Sequence, residues 1–283
     1  MDYLDTLKKT TEQNNSIICM GLDPVLERIP LKGSADEVIT KFFGEILIAL
    51  EKSAVKPSAV KPNYAFYAQY GFEGLKALKN VVDMYKKSGF IVILDVKRGD
   101  ISTSSQAYAR ESFLFWGVDA VTISPYMGAD SVMPFIDWCK KGKGVYVLNR
   151  TTNKGAADIQ NIVACGTPIY RKVSEKILEW HVPGLGAVVG ATCPDEFEEI
   201  SNFFVNSKKF VPLLIPGVGA QGGAVSDVTR LLKKTNNHLW LHRINSSSGI
   251  TYAYEAQETD DFAGAALREI ERMNKECGAI FNW

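Results

Sequence analysis

Asp95 and Lys97, in the run LDVKRGD, stand one residue apart, so on a strand their side chains share a face. They stand at the end of the apolar run that begins at Ile91, which places that face at the mouth of a sheet or barrel. Lys61 (AVKPN) ends the preceding apolar run and belongs beside them, and Asp23 (GLDP) and Asp100 add two carboxylates. Ammonium and carboxylate groups gathered on one surface can hold a developing charge and move a proton. A solvated loop with surface ion pairs would account for KRGD alone. It accounts less well for a second lysine at the neighbouring strand end.

Glycine supplies the other signal. Gly217-x-Gly219-x-x-Gly222, within PGVGAQGG and including Gln221, follows the seventh apolar run, and NSSSG (Asn245–Gly249) follows the eighth. The spacing matches a dinucleotide fingerprint. It falls after a late strand, however, and no Asp or Glu lies about 20 residues further on, so a Rossmann reading fails. Bare backbone N–H groups at these two strand ends suit a phosphate, the plain alternative being a glycine-rich turn with no ligand.

Other constellations are weaker. His181, His238 and His242 are not at metal-ligand spacing and read as structural or surface residues. The five cysteines are scattered, odd in number and without a C-x-x-C, which predicts free thiols in a reducing compartment. No G-x-S-x-G elbow supports a nucleophilic serine. Tyr64, Phe66, Tyr67 and Tyr70 read as core packing.

The elements that must position these groups alternate. Near-continuous apolar runs, read as strands buried on both faces, are Ile17–Gly21, Ala59–Pro62, Ile91–Val96, Ala120–Ser124, Gly144–Leu148, Gly186–Gly190, Leu213–Pro216 and Leu239–Ile244. Between them apolar residues recur at helical spacing, as at Val38, Phe42, Ile46 and Leu50, at Ile169, Val173 and Ile177, and at Phe262, Ala266 and Ile270. Pro168 suits the first turn of its helix. This rhythm predicts an α/β protein with a (β/α)8 TIM barrel, a single domain over 1–283, with a doubly wound sheet as the alternative. The polar stretch from Asn149 to Gly166 predicts a loop over the active face.

Composition narrows the class. With 283 residues, 46% hydrophobic and 23% charged, the chain can bury a large core. Lys plus Arg (32) equals Asp plus Glu (32), so it lacks the basic field of a nucleic-acid binder, which still leaves room for a local anion pocket. No apolar run reaches the roughly 18 residues of a membrane helix, and the polar N-terminus is no signal peptide. A soluble, cytoplasmic protein is expected.

DVKRGDI resembles the D-x-K-x-x-D signature of the orotidine 5′-monophosphate decarboxylase family. So do GLDP, AVKPNYAFY, QAYAR, DAVTISPYMGADSVMPF, RTTN and PGVGAQGG, in order through most of the chain, most closely in the longer bacterial and archaeal branch. The resemblance implies a (β/α)8 barrel that converts orotidine 5′-monophosphate to UMP and carbon dioxide in pyrimidine synthesis, without metal or organic cofactor. It implies that Lys61, Asp95, Lys97 and Asp100 form an alternating charged tetrad. Asp100 and Ser104 would reach into a partner subunit's site, giving a homodimer with shared active sites. Asp23 and Lys61 would hold the ribose and Thr152 the pyrimidine. Gln221 and the Gly217–Gly219 backbone, with Ser248 and Gly249, would hold the phosphate.

Three positions depart from the family pattern. Ser102-Thr103-Ser104 and Thr151-Thr152-Asn153 preserve hydroxyls. After the eighth strand the family reads N-S-S-R-G, and Ser248 stands where the phosphate-gripping arginine would be. Arg243, five residues back on a strand, should point away from that position. Two alternatives therefore stand beside the decarboxylase. One is a Mg²⁺-dependent sugar-phosphate decarboxylase or aldolase of the same superfamily; the other is a catalytically weakened UMP-binding protein.

Overall fold

In the computed structural model, which describes residues 2–219 and 222–278, the apolar runs form eight parallel strands. They are β1 (Ile18–Gly21), β2 (Ala59–Lys61), β3 (Ile91–Arg98), β4 (Ala120–Ile123), β5 (Gly144–Arg150), β6 (Leu185–Val189), β7 (Leu213–Ile215) and β8 (Arg243–Ser246). Each pairs with its neighbours in sequence, and β1 closes the ring by pairing with β8 through Ile18–Ile244, Cys19–Asn245 and Met20–Ser246. The fold is a (β/α)8 TIM barrel, and the doubly wound alternative is excluded.

The helices follow the expected spacing. Ser34 caps Ala35–Lys52 through a reciprocal box with Glu37, and Val38, Phe42, Ile46 and Leu50 on that helix are all buried against the barrel. Burying a side chain of this size is worth about 1.5–3 kcal/mol, so this apolar stripe outweighs helix propensity in holding the segment. Ile169–Glu179 and Phe262–Cys277 form the other two expected helices, with Pro168 just before the first turn rather than inside it.

Two expected boundaries are corrected. Leu239–Leu241 is a 3₁₀ turn and the last strand begins at Arg243, because a short apolar run fits a buried turn as well as a strand. Asn149 and Arg150 belong to β5, and the polar stretch after them folds into a short helix (Ala157–Gln160) and a two-residue hairpin.

The N-terminal end of the barrel is plugged by the Tyr3–Asn14 helix. The Tyr3 hydroxyl lies 3.1 Å from that of Tyr146 on β5. A Cβ at Gly144 would sit 2.4 Å from the Tyr3 ring, so glycine is needed there for the plug to seat. Arg243 is fully buried at this same end and donates to Leu7 O and Thr10 Oγ1, at 2.8 and 2.9 Å. It faces away from Ser248, as expected.

His242 lies in the same layer, fully buried, its Nδ1 accepting the Leu213 N–H at 3.0 Å, which leaves the neutral ring's proton on Nε2. Burial, reinforced by the charges of Arg243 and His238, pulls its pKa from 6.5 down to about 3. The unfolded chain therefore takes up a proton that the folded one refuses. The stability this contributes is complete above pH 6.5 and is lost as pH falls towards 3, at about 1.4 kcal/mol per unit. Urea unfolding measured between pH 6 and 4 should show that slope fall by about this amount in His242→Asn, whose amide oxygen can accept the same N–H. Equal slopes in the two proteins would remove His242 from the acid response.

Candidate active site

The strands end around a cavity of about 670 Å³ at the C-terminal mouth of the barrel. β2 ends on Lys61, whose buried Nζ donates to Asp95 Oδ2 at 3.0 Å. Asp95 is also buried and takes Lys97 Nζ on its other oxygen, Oδ1, at 2.7 Å. One carboxylate thus bridges two ammoniums. Lys97 remains half-exposed, with its end open to the cavity.

The i, i+2 spacing brings Asp95 and Lys97 together, but not on a regular strand. The register between β3 and β4 shifts between Leu94 and Arg98, and Lys97 has a φ of 45°. A non-glycine residue in that region carries strain, and bulges of this kind re-aim side chains beside sites. Thr122 on β4 compensates. Its Oγ1 accepts the Lys97 N–H at 3.0 Å and donates to Asp95 Oδ1 at 2.7 Å, closing a ring from the lysine backbone to the partner of its own ammonium.

These contacts set the charges. Burial alone would raise the Asp95 carboxyl, but the Lys61 and Lys97 ammoniums outweigh it and hold that pKa well below the usual carboxylate range. Burial would likewise lower Lys61, and the charges of Asp95 and Asp23 reverse it and raise the pKa above the ordinary lysine value. At neutral pH the cavity floor is a buried carboxylate between two cations.

The other expected site residues divide. Asp23 lines the cavity and its Oδ1 accepts the Asn63 N–H at 3.1 Å. Thr152 lines it too, its methyl packed where a Gly190 Cβ would stand. Ser248 opens a short helix (Ser248–Thr251) at the rim, and Gly249 follows it. A Cβ on Gly219 or on Gly249 would fall 3.3 or 2.9 Å from Ser246 Oγ, so the two glycine segments converge on β8's end. Gly217, Gly219 and Gly222 all have positive φ, and the loop is closed on itself: Gly219 N donates to Gly223 O and Gly223 N to Gly217 O. Gln221 lies outside the described residues. Asp100 and Ser104 do not line this cavity. Asp100 accepts the Ile101 N–H at 2.8 Å, and Ser104 is exposed on the Ser102–Arg110 helix.

Sequence reasoning passed over three residues. Thr122 shares strand parity with Ser124, which was visible in AVTIS; Arg28 and Tyr252, both lining the cavity, carried no motif. Tyr252 links the rim to the segment after β1, accepting the Val25 N–H at 2.7 Å and donating to Asp23 O at 3.0 Å. Among the described residues no group of three or more His, Cys, Asp or Glu is arranged to hold a metal ion, and no helix is long and apolar enough to cross a membrane.

The chain that builds this cavity has relatives. The orotidine 5′-phosphate decarboxylase / HUMPS family matches residues 16–259. The chain is 38% identical over 275 residues to an orotidine 5′-phosphate decarboxylase of Ralstonia pickettii, covering 95% of each chain. It is 36% identical over 296 residues to that of Clostridium tetani, covering 96% of each. Among solved structures it is similar to the OMP decarboxylase of Leishmania donovani, with a TM-score of 0.75 at 29% identity, covering 98% of this chain and 99% of that one.

Proposed function

The chain belongs to the orotidine 5′-phosphate decarboxylase family and is a carboxy-lyase, and from that premise we propose that it converts orotidine 5′-monophosphate to UMP through Lys97, without a cofactor. The bond from C6 of the pyrimidine to its carboxylate breaks, carbon dioxide leaves, and the electron pair stays on C6. No adjacent group in the ring can absorb that pair. The Lys97 ammonium stabilises it in a site of low dielectric and then gives C6 a proton; the neutral amine regains one from solvent. Asp95 orients Lys97 and opposes the desolvation that would discharge it.

The observation that carries this reading is the Lys61–Asp95–Lys97 bridge at 3.0 and 2.7 Å on the floor of the cavity. Around it, Asp23 and Lys61 hold the ribose and Thr152 the pyrimidine. Gly217, Gly219, Gln221, Ser248 and Gly249 surround the phosphate, and the closed glycine loop must open for the Gly219 N–H to reach it. Asp100 and Ser104 serve the site of a second copy in a homodimer. Solvent-facing apolar side chains that follow Asp100 in the chain, at Ile101, Leu114, Phe115 and Tyr126, support that arrangement.

A spectrophotometric assay of orotidine monophosphate, run with and without a chelator, tests the proposal. Turnover at an unchanged rate in chelator is the expected result. Turnover lost in chelator and restored by Mg²⁺ would overturn the cofactor-free mechanism, and UMP binding without turnover would overturn the activity.

A further inference from the structure

The decarboxylase reading puts a phosphate dianion in the cavity, and a dianion drawn out of water needs a cation. Among the described residues three cationic side chains line the cavity: Lys61, Lys97 and Arg28. The two lysines converge on Asp95 at the floor. Arg243 is buried at the opposite end of the barrel. Arg230, beyond the glycine loop, lines a separate cavity and pairs with Asp227.

Arg28 ends the short turn Leu26–Arg28 after β1. Its guanidinium lies over the Tyr252 ring, 3.8 Å from the centroid. Tyr252 follows Ser248 by one helical turn, its N–H donating to Ser248 O at 3.0 Å, so the stack stands beside the rim segment that carries Ser248 and Gly249. The Tyr252 hydroxyl is fixed at both Val25 and Asp23, which makes the ring a rigid platform. Nε and Nη2 of Arg28 meet the two carboxylate oxygens of Glu255 at 2.9 and 2.6 Å, and that pair leaves Nη1 out. The guanidinium is therefore already presented in the fork geometry that a phosphate accepts, against a carboxylate that is itself 44% exposed. Both partners are partly exposed, so solvent screens the pair, and a phosphate dianion carries more charge to the same fork than the single carboxylate does.

We propose that Arg28 is the phosphate-binding cation of this site and that it exchanges Glu255 for the phosphate of the nucleotide when ligand binds. The proposal rests on the decarboxylase reading, and its test separates the two. Calorimetric titration compares UMP with uridine, which lacks the phosphate, on the wild-type protein, Arg28→Gln and Glu255→Gln. Arg28→Gln should weaken UMP about 10- to 100-fold and leave uridine within about twofold, the loss expected for one charge-assisted contact. Glu255→Gln, with no internal anion left to compete, should tighten UMP by about two- to fivefold. UMP affinity unchanged in Arg28→Gln would overturn the proposal. So would a parallel loss of uridine, which would make Arg28 a wall of the cavity rather than a phosphate ligand. Weaker UMP binding by Glu255→Gln would overturn the exchange. A wild-type protein that binds neither ligand would overturn the decarboxylase reading itself, and this proposal with it.

Discussion

Lys97→Ala should lose at least about 10⁴-fold in turnover of orotidine monophosphate while the barrel stays folded, since a proton donor and a preorganised charge each contribute about 10²-fold or more. The fold should survive for a local reason. The Lys97 side chain is half-exposed, and without it Asp95 still holds Lys61 at 3.0 Å and the Thr122 hydroxyl at 2.7 Å, so no buried charge is stranded. Asp95→Ala is the opposite case, because it leaves Lys61 buried with no carboxylate beside it at that distance. A thermal melt close to that of the parent with turnover abolished is therefore the expected pair of results for Lys97→Ala. Retention of more than about a tenth of the parental rate would rule out Lys97 as both counter-charge and proton donor, because either role alone exceeds that factor.

Residues whose types cluster are legible in the sequence, and those whose importance lies in geometry are not. Lys61, Asp95 and Lys97 announce themselves as charges at successive strand ends, and in the structure one carboxylate bridges both lysines. The barrel was legible for a similar reason: strands buried on both faces must be apolar nearly throughout, which marks seven of the eight to within two residues. The eighth slipped because Leu239-Trp240-Leu241 is equally apolar as a turn. Thr122 is a hydroxyl on a strand like many others until a bulge brings the Lys97 N–H onto it. Arg28 and Glu255 lie 227 residues apart, and only closure of β8 onto β1 makes them neighbours. The glycine loop shows a further limit. Its composition suggests N–H groups free for an anion, whereas among the described residues the loop's own carbonyls take those of Gly219, Gly222 and Gly223.

Proteins carrying Lys97→Ala and Asp100→Ala, each inactive alone, should recover activity when mixed. The separation of Asp100 from its own cavity makes this outcome specific. Its carboxylate faces the Ile101 N–H instead of the lysines, and it is not among the cavity-lining residues, although it is only three positions from Lys97. If each site takes Lys97 from one chain and Asp100 from the other, a mixed dimer has one site with both lesions and one with neither. Random exchange makes half of all dimers mixed, and half of the sites in those are intact, so the recovery should approach about a quarter of parental activity per site. Asp100 acting within its own chain gives a different result, since every site in every dimer would then carry one lesion. Mixing would restore nothing, however complete the exchange. Native mass spectrometry on the same sample reports the fraction of mixed dimers. Exchange without recovery would place Asp100 outside the partner's site, and an absence of dimers would remove the shared site altogether.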